Sequence, residues 1–166
     1  MRIRMQADDF YNTYLVLNKV FRDELTAKEE SSGRVLSTFG PSVVCLAFSV
    51  ELYIKNLYSI LDKKAPRTHN ILKLFEGLPE DIRQKVFDHK SIGQTPWNGD
   101  IFNPKRYSGD YSSEDRVVDE IKAISDGFEK WRYSHEHTNL RYNKGFALAF
   151  IKALTSVADA NTDARV

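Results

Sequence analysis

Cysteine is nearly absent from this chain. Its 166 residues include one, Cys45, and a single thiol cannot close an internal disulfide. Stability is therefore expected from a packed core, in a reducing compartment such as the cytoplasm. A surplus of charge is missing too. Twenty-four Lys and Arg stand against 23 Asp and Glu, and the net charge of +1 sets up no global field toward nucleic acid or membrane. A local basic patch stays compatible with that balance. MRIRMQADDF contains no apolar h-region, so no secretory signal is expected. The longest uncharged apolar run is too short for a bilayer, so no membrane partner is expected either. Repeats and low-complexity tracts are lacking. The most informative absence is a pattern: no segment alternates apolar and polar residues as a half-buried strand does. What remains, at 42% apolar and 28% charged, reads as one all-α domain over 1–166, long enough to bury a full core.

Residues 42–61, SVVCLAFSVELYIKNLYSIL, organise the rest. Apolar side chains fall on every face of a helix drawn through them, which predicts a central helix buried all round. Gly40 would cap it and Pro41 would take its first position. Cys45 reads there as a small buried hydrophobe, not a nucleophile. Glu51 is the exception. A buried carboxylate without a partner costs several kcal/mol, whereas an i,i+4 pair with Lys55 contributes only about 0.3–0.5 kcal/mol. A stronger partner is expected elsewhere, preferably an arginine that grips with both arms.

Other helices follow from apolar spacing. Phe10, Tyr14, Leu17, Phe21 and Leu25 make one stripe over 5–25, and the polar TAKEESSGR (26–34) connects it to the central helix. DKKAPRTH (62–69) closes the central helix, and Asn70–Phe75 offers a further turn or two. EDIRQKVFDH (80–89) opens with two acids, as a helix N-terminus prefers, and turns Ile82, Val86 and Phe87 inward. Ser112 or Ser113 would cap the next helix, with Val117, Ile121, Ile124, Phe128 and Trp131 inward. A last helix over 144–158 faces Phe146, Leu148, Ala149, Ile151 and Leu154 to the core, leaving 159–166 as a disordered tail. The expected architecture is an all-α bundle of four to six helices, with a long loop at 93–112 before the penultimate one. That loop carries Lys105, Arg106 and Tyr107 beside Trp97 and Phe102. Such a mixture can contact RNA through stacking and phosphate pairing, or simply pin the loop to the body.

Trp131-Arg132-Tyr133-Ser134-His135-Glu136-His137 is the densest polar cluster. Arg132 lies one step past the buried stripe and is the candidate partner of Glu51. His135-x-His137 would point to opposite sides of a helix, and no His–Glu pair has a metalloenzyme spacing, so neither metal nor other cofactor is expected. No Gly-x-Ser-x-Gly elbow is present. Phosphoryl transfer at RNA needs a fixed cation at the phosphorane and a histidine near neutral pKa, and Arg132 and His137 are of those two types. The same residues could instead satisfy Glu51 and complement a helix C-terminus.

LAFSVELYIKNLYSI (46–60), THNILKLF (68–75) and WRYSHEH (131–137), in that order, resemble the HEPN domain family. That family pairs a buried Glu-x-x-x-Lys helix with a Thr-His-x-Leu turn and an Arg-x(4–6)-His motif. The resemblance covers roughly 42–76 and 114–158 and leaves the 93–112 loop unexplained. It implies a helical, usually homodimeric domain, and in many members a metal-independent endoribonuclease, often a toxin or defence effector. In such members the 2′-hydroxyl attacks its own phosphate. Carried over, Arg132 stabilises the phosphorane, His137 acts as acid or base, and Glu51 positions Arg132. Tyr133 stands where nuclease members often have a small polar residue, and His135 and Glu136 fall inside the motif as additional candidates. Other members are non-catalytic binding or dimerisation modules. A separately encoded antitoxin or nucleotidyltransferase is the partner either version would imply.

Overall fold

The computed structural model describes residues 2–26, 35–93, 114–130 and 143–163, and among these every regular element is an α-helix. The helices are α1 (Arg2–Thr26), α2 (Val35–Ile60), α3 (Ile71–Glu76), α4 (Glu80–Phe87), α5 (Lys90–Gly93), α6 (Glu114–Lys130) and α7 (Lys144–Asp163). The architecture is an all-α bundle.

The second helix is its centre. It packs against α1, α3, α6 and α7, and the five consecutive residues Val50 to Ile54 are all buried. Consecutive burial at 100° per residue means that every face is covered, as an all-round apolar sequence demands. By length and hydropathy Thr38–Ile60 also meets the test for a membrane-crossing helix, but 67% of its apolar window is buried inside the fold.

The start of α2 differs from expectation. The helix begins at Val35, so Pro41 lies inside it and Gly40 is not its cap. An interior proline removes one backbone hydrogen bond at a cost of about 3 kcal/mol. Burial on both sides of it offsets that cost: Phe39 packs on Phe21 with ring centroids 5.1 Å apart, and Ser42 and Val43 are buried. The end of α2 is a Schellman motif. Asp62 takes the left-handed conformation at φ 53°, Asp62 N donates to Ser59 O at 3.2 Å, and Lys63 N donates to Tyr58 O at 2.9 Å. Aspartate tolerates this conformation better than most residues.

The stripe of α1 is present, with Tyr14 and Phe21 buried and Phe10 edge-on to Phe48 at 4.5 Å. The Leu25 side chain lies outside the described set. Arg4 ties three helices together. Its guanidinium reaches Asp8 at 3.2 Å and Asp159 of α7 at 3.1 Å, and it sits 5.5 Å from the centre of the Tyr53 ring. The Tyr53 hydroxyl donates to Asp8 Oδ1 at 2.6 Å. Burial, then this hydrogen bond and the Asp8 charge, push that phenol well above its ordinary pKa.

Short helices close the far side. Asn70 caps α3, its Oδ1 accepting from Lys73 N at 2.8 Å. Leu72 N donates to Ser125 Oγ on α6 at 3.5 Å. Ile82 and Val86 of α4 are buried, and Phe87 packs partly against the core. The four-residue α5 has no counterpart in the sequence reading. On α6, Val117, Ile121 and Ile124 are buried as expected. The Phe128 side chain, the Ser112 and Ser113 caps, Trp131, the loop from 94 to 112 and the 27–34 connection lie outside the described residues. Helix α7 continues to Asp163, five residues past its expected end and into the stretch read as a tail. The added residues are held by polar contacts and not by the core: Asp159 pairs with Arg4 of α1 at 3.1 Å, and the Asn161 and Thr162 side chains donate to Val157 O and Ala158 O.

Candidate functional site

Glu51 marks the site. Its side chain is 1% exposed, in the middle of the most apolar helix. Two cationic-type groups reach it from different parts of the chain. Lys55, one turn on, places Nζ 2.6 Å from Oε1. His69 brings Nδ1 to 3.1 Å from Oε1 and 3.2 Å from Oε2. The histidine arrives because the Schellman turn at Asp62 reverses the chain, and residues 63–70 run back along α2 to the cap of α3. Thr68 Oγ1 fixes that approach by accepting from Asn70 N at 3.0 Å.

This corrects the reading of Lys55 as too weak a partner. The small value for i,i+4 pairs belongs to exposed side chains in water. Here the carboxylate is desolvated and the ammonium 24% exposed, so their attraction is less screened. His69 is a second partner that spacing alone did not reveal. The signal was the Thr68-His69-Asn70-Ile71 segment, noted for its resemblance but given no role. Its side chain is 61% exposed while Nδ1 faces the carboxylate. A buried carboxylate that orients an imidazole whose body meets solvent is an arrangement suited to moving a proton at the surface.

Of the expected site residues, the structure places Glu51 alone. Arg132, Tyr133, His135, Glu136 and His137, and the loop residues Lys105, Arg106 and Tyr107, lie outside the described residues. The helix that leads into 131–137 is α6, which packs on both α2 and α3, the two helices flanking the Glu51–His69 contact. Cys45 is half-buried, not fully enclosed, and burial pushes its thiol up, away from a reactive thiolate. Among the described residues no three His, Cys, Asp or Glu side chains group as metal ligands would.

No protein-family model, curated protein or solved structure matches the chain.

Proposed function

We propose that the chain is a metal-independent endoribonuclease of HEPN type, acting as a homodimer, with Arg132 and His137 at the scissile phosphate. The observation that supports this reading best is the meeting of Glu51, Lys55 and His69. These belong to the first two of the three motifs that carry the resemblance, and they converge on one buried carboxylate within an all-α fold. In the proposed reaction the 2′-hydroxyl loses its proton to a base as its oxygen attacks phosphorus. The 5′-oxygen leaves with a proton from an acid, and a 2′,3′-cyclic phosphate remains. Arg132 neutralises the phosphorane between these steps, and His137 carries a proton. Glu51, already held by Lys55 and His69, supplies a fixed negative charge against which the arginine can be set.

The test is cleavage of RNA by the purified protein in EDTA, with cyclic phosphate ends and a light-scattering mass of a dimer. Loss of a general acid or base costs roughly 10²–10⁴ in rate, so His137→Ala should fall by that much while His135→Ala stays close to wild type. Equal rates for wild type and His137→Ala would sink the assignment.

One observation favours a second reading, a non-catalytic binding or dimerisation module. Met5, Leu15, Val16 and Val20 of α1 are 39–63% exposed, and Met5, Val16 and Val20 fall near one line along the helix. A module would dock a protein there and leave RNA intact. Val16→Asp would then abolish association, with helicity retained.

A further inference from the structure

Two cations lie close together where the start of α7 reaches α1, and neither forms an ion pair with another described residue. Lys144, at the start of α7, is half-buried, and its Nζ donates to Asn18 Oδ1 of α1 at 3.2 Å. Arg22 is one turn beyond Asn18, so its guanidinium shares that face of α1. Among the described residues neither Lys144 nor Arg22 forms an ion pair. The acids on the packed elements are engaged differently. Glu120 of α6 accepts from Asn143 Nδ2 at 3.3 Å, and Asp23 neighbours Arg22 on exposed helix surface. Burial, and next the Arg22 charge, hold the Lys144 amine below its ordinary pKa. Lys19 adds another positive charge to the same stretch of α1.

We propose that Lys144, Arg22 and Asn18 form a seat for one backbone phosphate of single-stranded RNA. Bringing an ammonium near a guanidinium while desolvating it is unfavourable in the free protein, and an anion between them removes that cost. The groups are complementary in kind. Lysine is a compact point donor, arginine a planar fork that spans two phosphate oxygens, and the asparagine fixes the ammonium's direction. A singly charged phosphodiester matches two cations that both keep partial contact with water. The identity of the ligand rests on the endoribonuclease reading; the existence of an anion seat does not.

The experiment measures binding of a labelled 2′-O-methyl oligoribonucleotide, which lacks the attacking hydroxyl, to the full-length protein across a salt series. Lys144→Gln and Arg22→Gln are each expected to weaken binding about five- to tenfold, and to flatten the salt slope by about 0.7 per charge removed. Arg22 is exposed, so its variant decides the matter if Lys144→Gln fails to fold. Unchanged affinity and slope in Arg22→Gln overturn the proposal. Inorganic phosphate displacing the oligonucleotide at equimolar concentration also overturns it, in favour of a free-phosphate site. If the charge-dependent binding holds but the wild type leaves cleavable RNA intact, the nuclease reading fails and the seat stands. If RNA is cut and the variants bind as wild type, the reverse holds.

Discussion

Glu51 and His69, one enclosed and the other mostly in solvent, share a carboxylate–imidazole contact of 3.1 Å across the gap between α2 and the cap of α3. With Lys55 at 2.6 Å the carboxylate has two partners, and losing one of them leaves behind something different from losing the carboxylate itself. Lys55→Met leaves a desolvated negative charge and should destabilise by roughly 3–5 kcal/mol. Glu51→Gln leaves two groups that can turn to water, and should cost about 1–3 kcal/mol. Chemical denaturation of both variants checks the order. A larger loss for Glu51→Gln would show that the carboxylate organises more than these two neighbours.

Activity separates the two roles His69 could have. A side chain 61% exposed contributes little packing, and Lys55 still faces the carboxylate, so His69→Ala should lower the melting temperature less than Lys55→Met does. As a proton carrier at the site it should lower RNA cleavage by about 10²-fold, the lower end of the range for such groups. A wild-type rate in this variant assigns His69 to holding Glu51 and nothing more.

Gly77 has no room for a methyl group. A Cβ built there would lie 2.5 Å from the Tyr58 hydroxyl and 3.3 Å from Lys73 O. That hydroxyl is the rigid end of a buried ring and donates to Leu74 O at 2.9 Å. Gly77→Ala should therefore cost about 1–3 kcal/mol by overpacking. Adding Tyr58→Phe removes the obstructing oxygen, so the double variant should match Tyr58→Phe alone. A double-mutant cycle that shows simple additivity would place the strain elsewhere.

His89 should titrate below 6.5. Burial comes first among the causes, followed by the charges of Lys152 and Lys90. Its Nδ1 is engaged by Ser91, whose hydroxyl also donates to Ala149 O on α7. A base with a lowered folded pKa takes up its proton later than in the unfolded chain. Its contribution to stability is therefore complete above 6.5 and is lost as pH falls through the folded value. NMR titration of the ring should show the low midpoint, and Lys152→Gln should raise it. An unmoved midpoint would leave burial and the Lys90 charge as the causes.

Legibility from the sequence followed the strength of each local signal. The all-round apolar run of α2 and the stripes of α1 and α6 announced themselves because burial of that much surface outweighs most local preferences. The start of α2 did not. Pro41 is favourable at a first helical position, and only the packing of Phe39, Ser42 and Val43, a tertiary effect, carries the helix back to Val35. The site was half legible. An isolated carboxylate in an apolar helix pointed to Glu51, but finding His69 required the reversal at Asp62, which depends on a backbone conformation more usual for glycine. The end of α7 was obscured in the same manner, because residues 159–163 are held by polar contacts such as Asp159 with Arg4 of α1, which their own composition does not announce.

The enclosure of α2 on all sides has a consequence during synthesis. Its α1-facing side can be covered at once, but the sides that meet α6 and α7 wait until the ribosome has read on from Ile60 to Lys144 and beyond. At about 5–20 residues per second that interval lasts roughly 4–17 s. For that time the most apolar helix of the chain is a nascent segment with unclaimed faces, and a chaperone that recognises such segments should be found on ribosome-bound chains halted between α2 and α7, then released once α7 emerges.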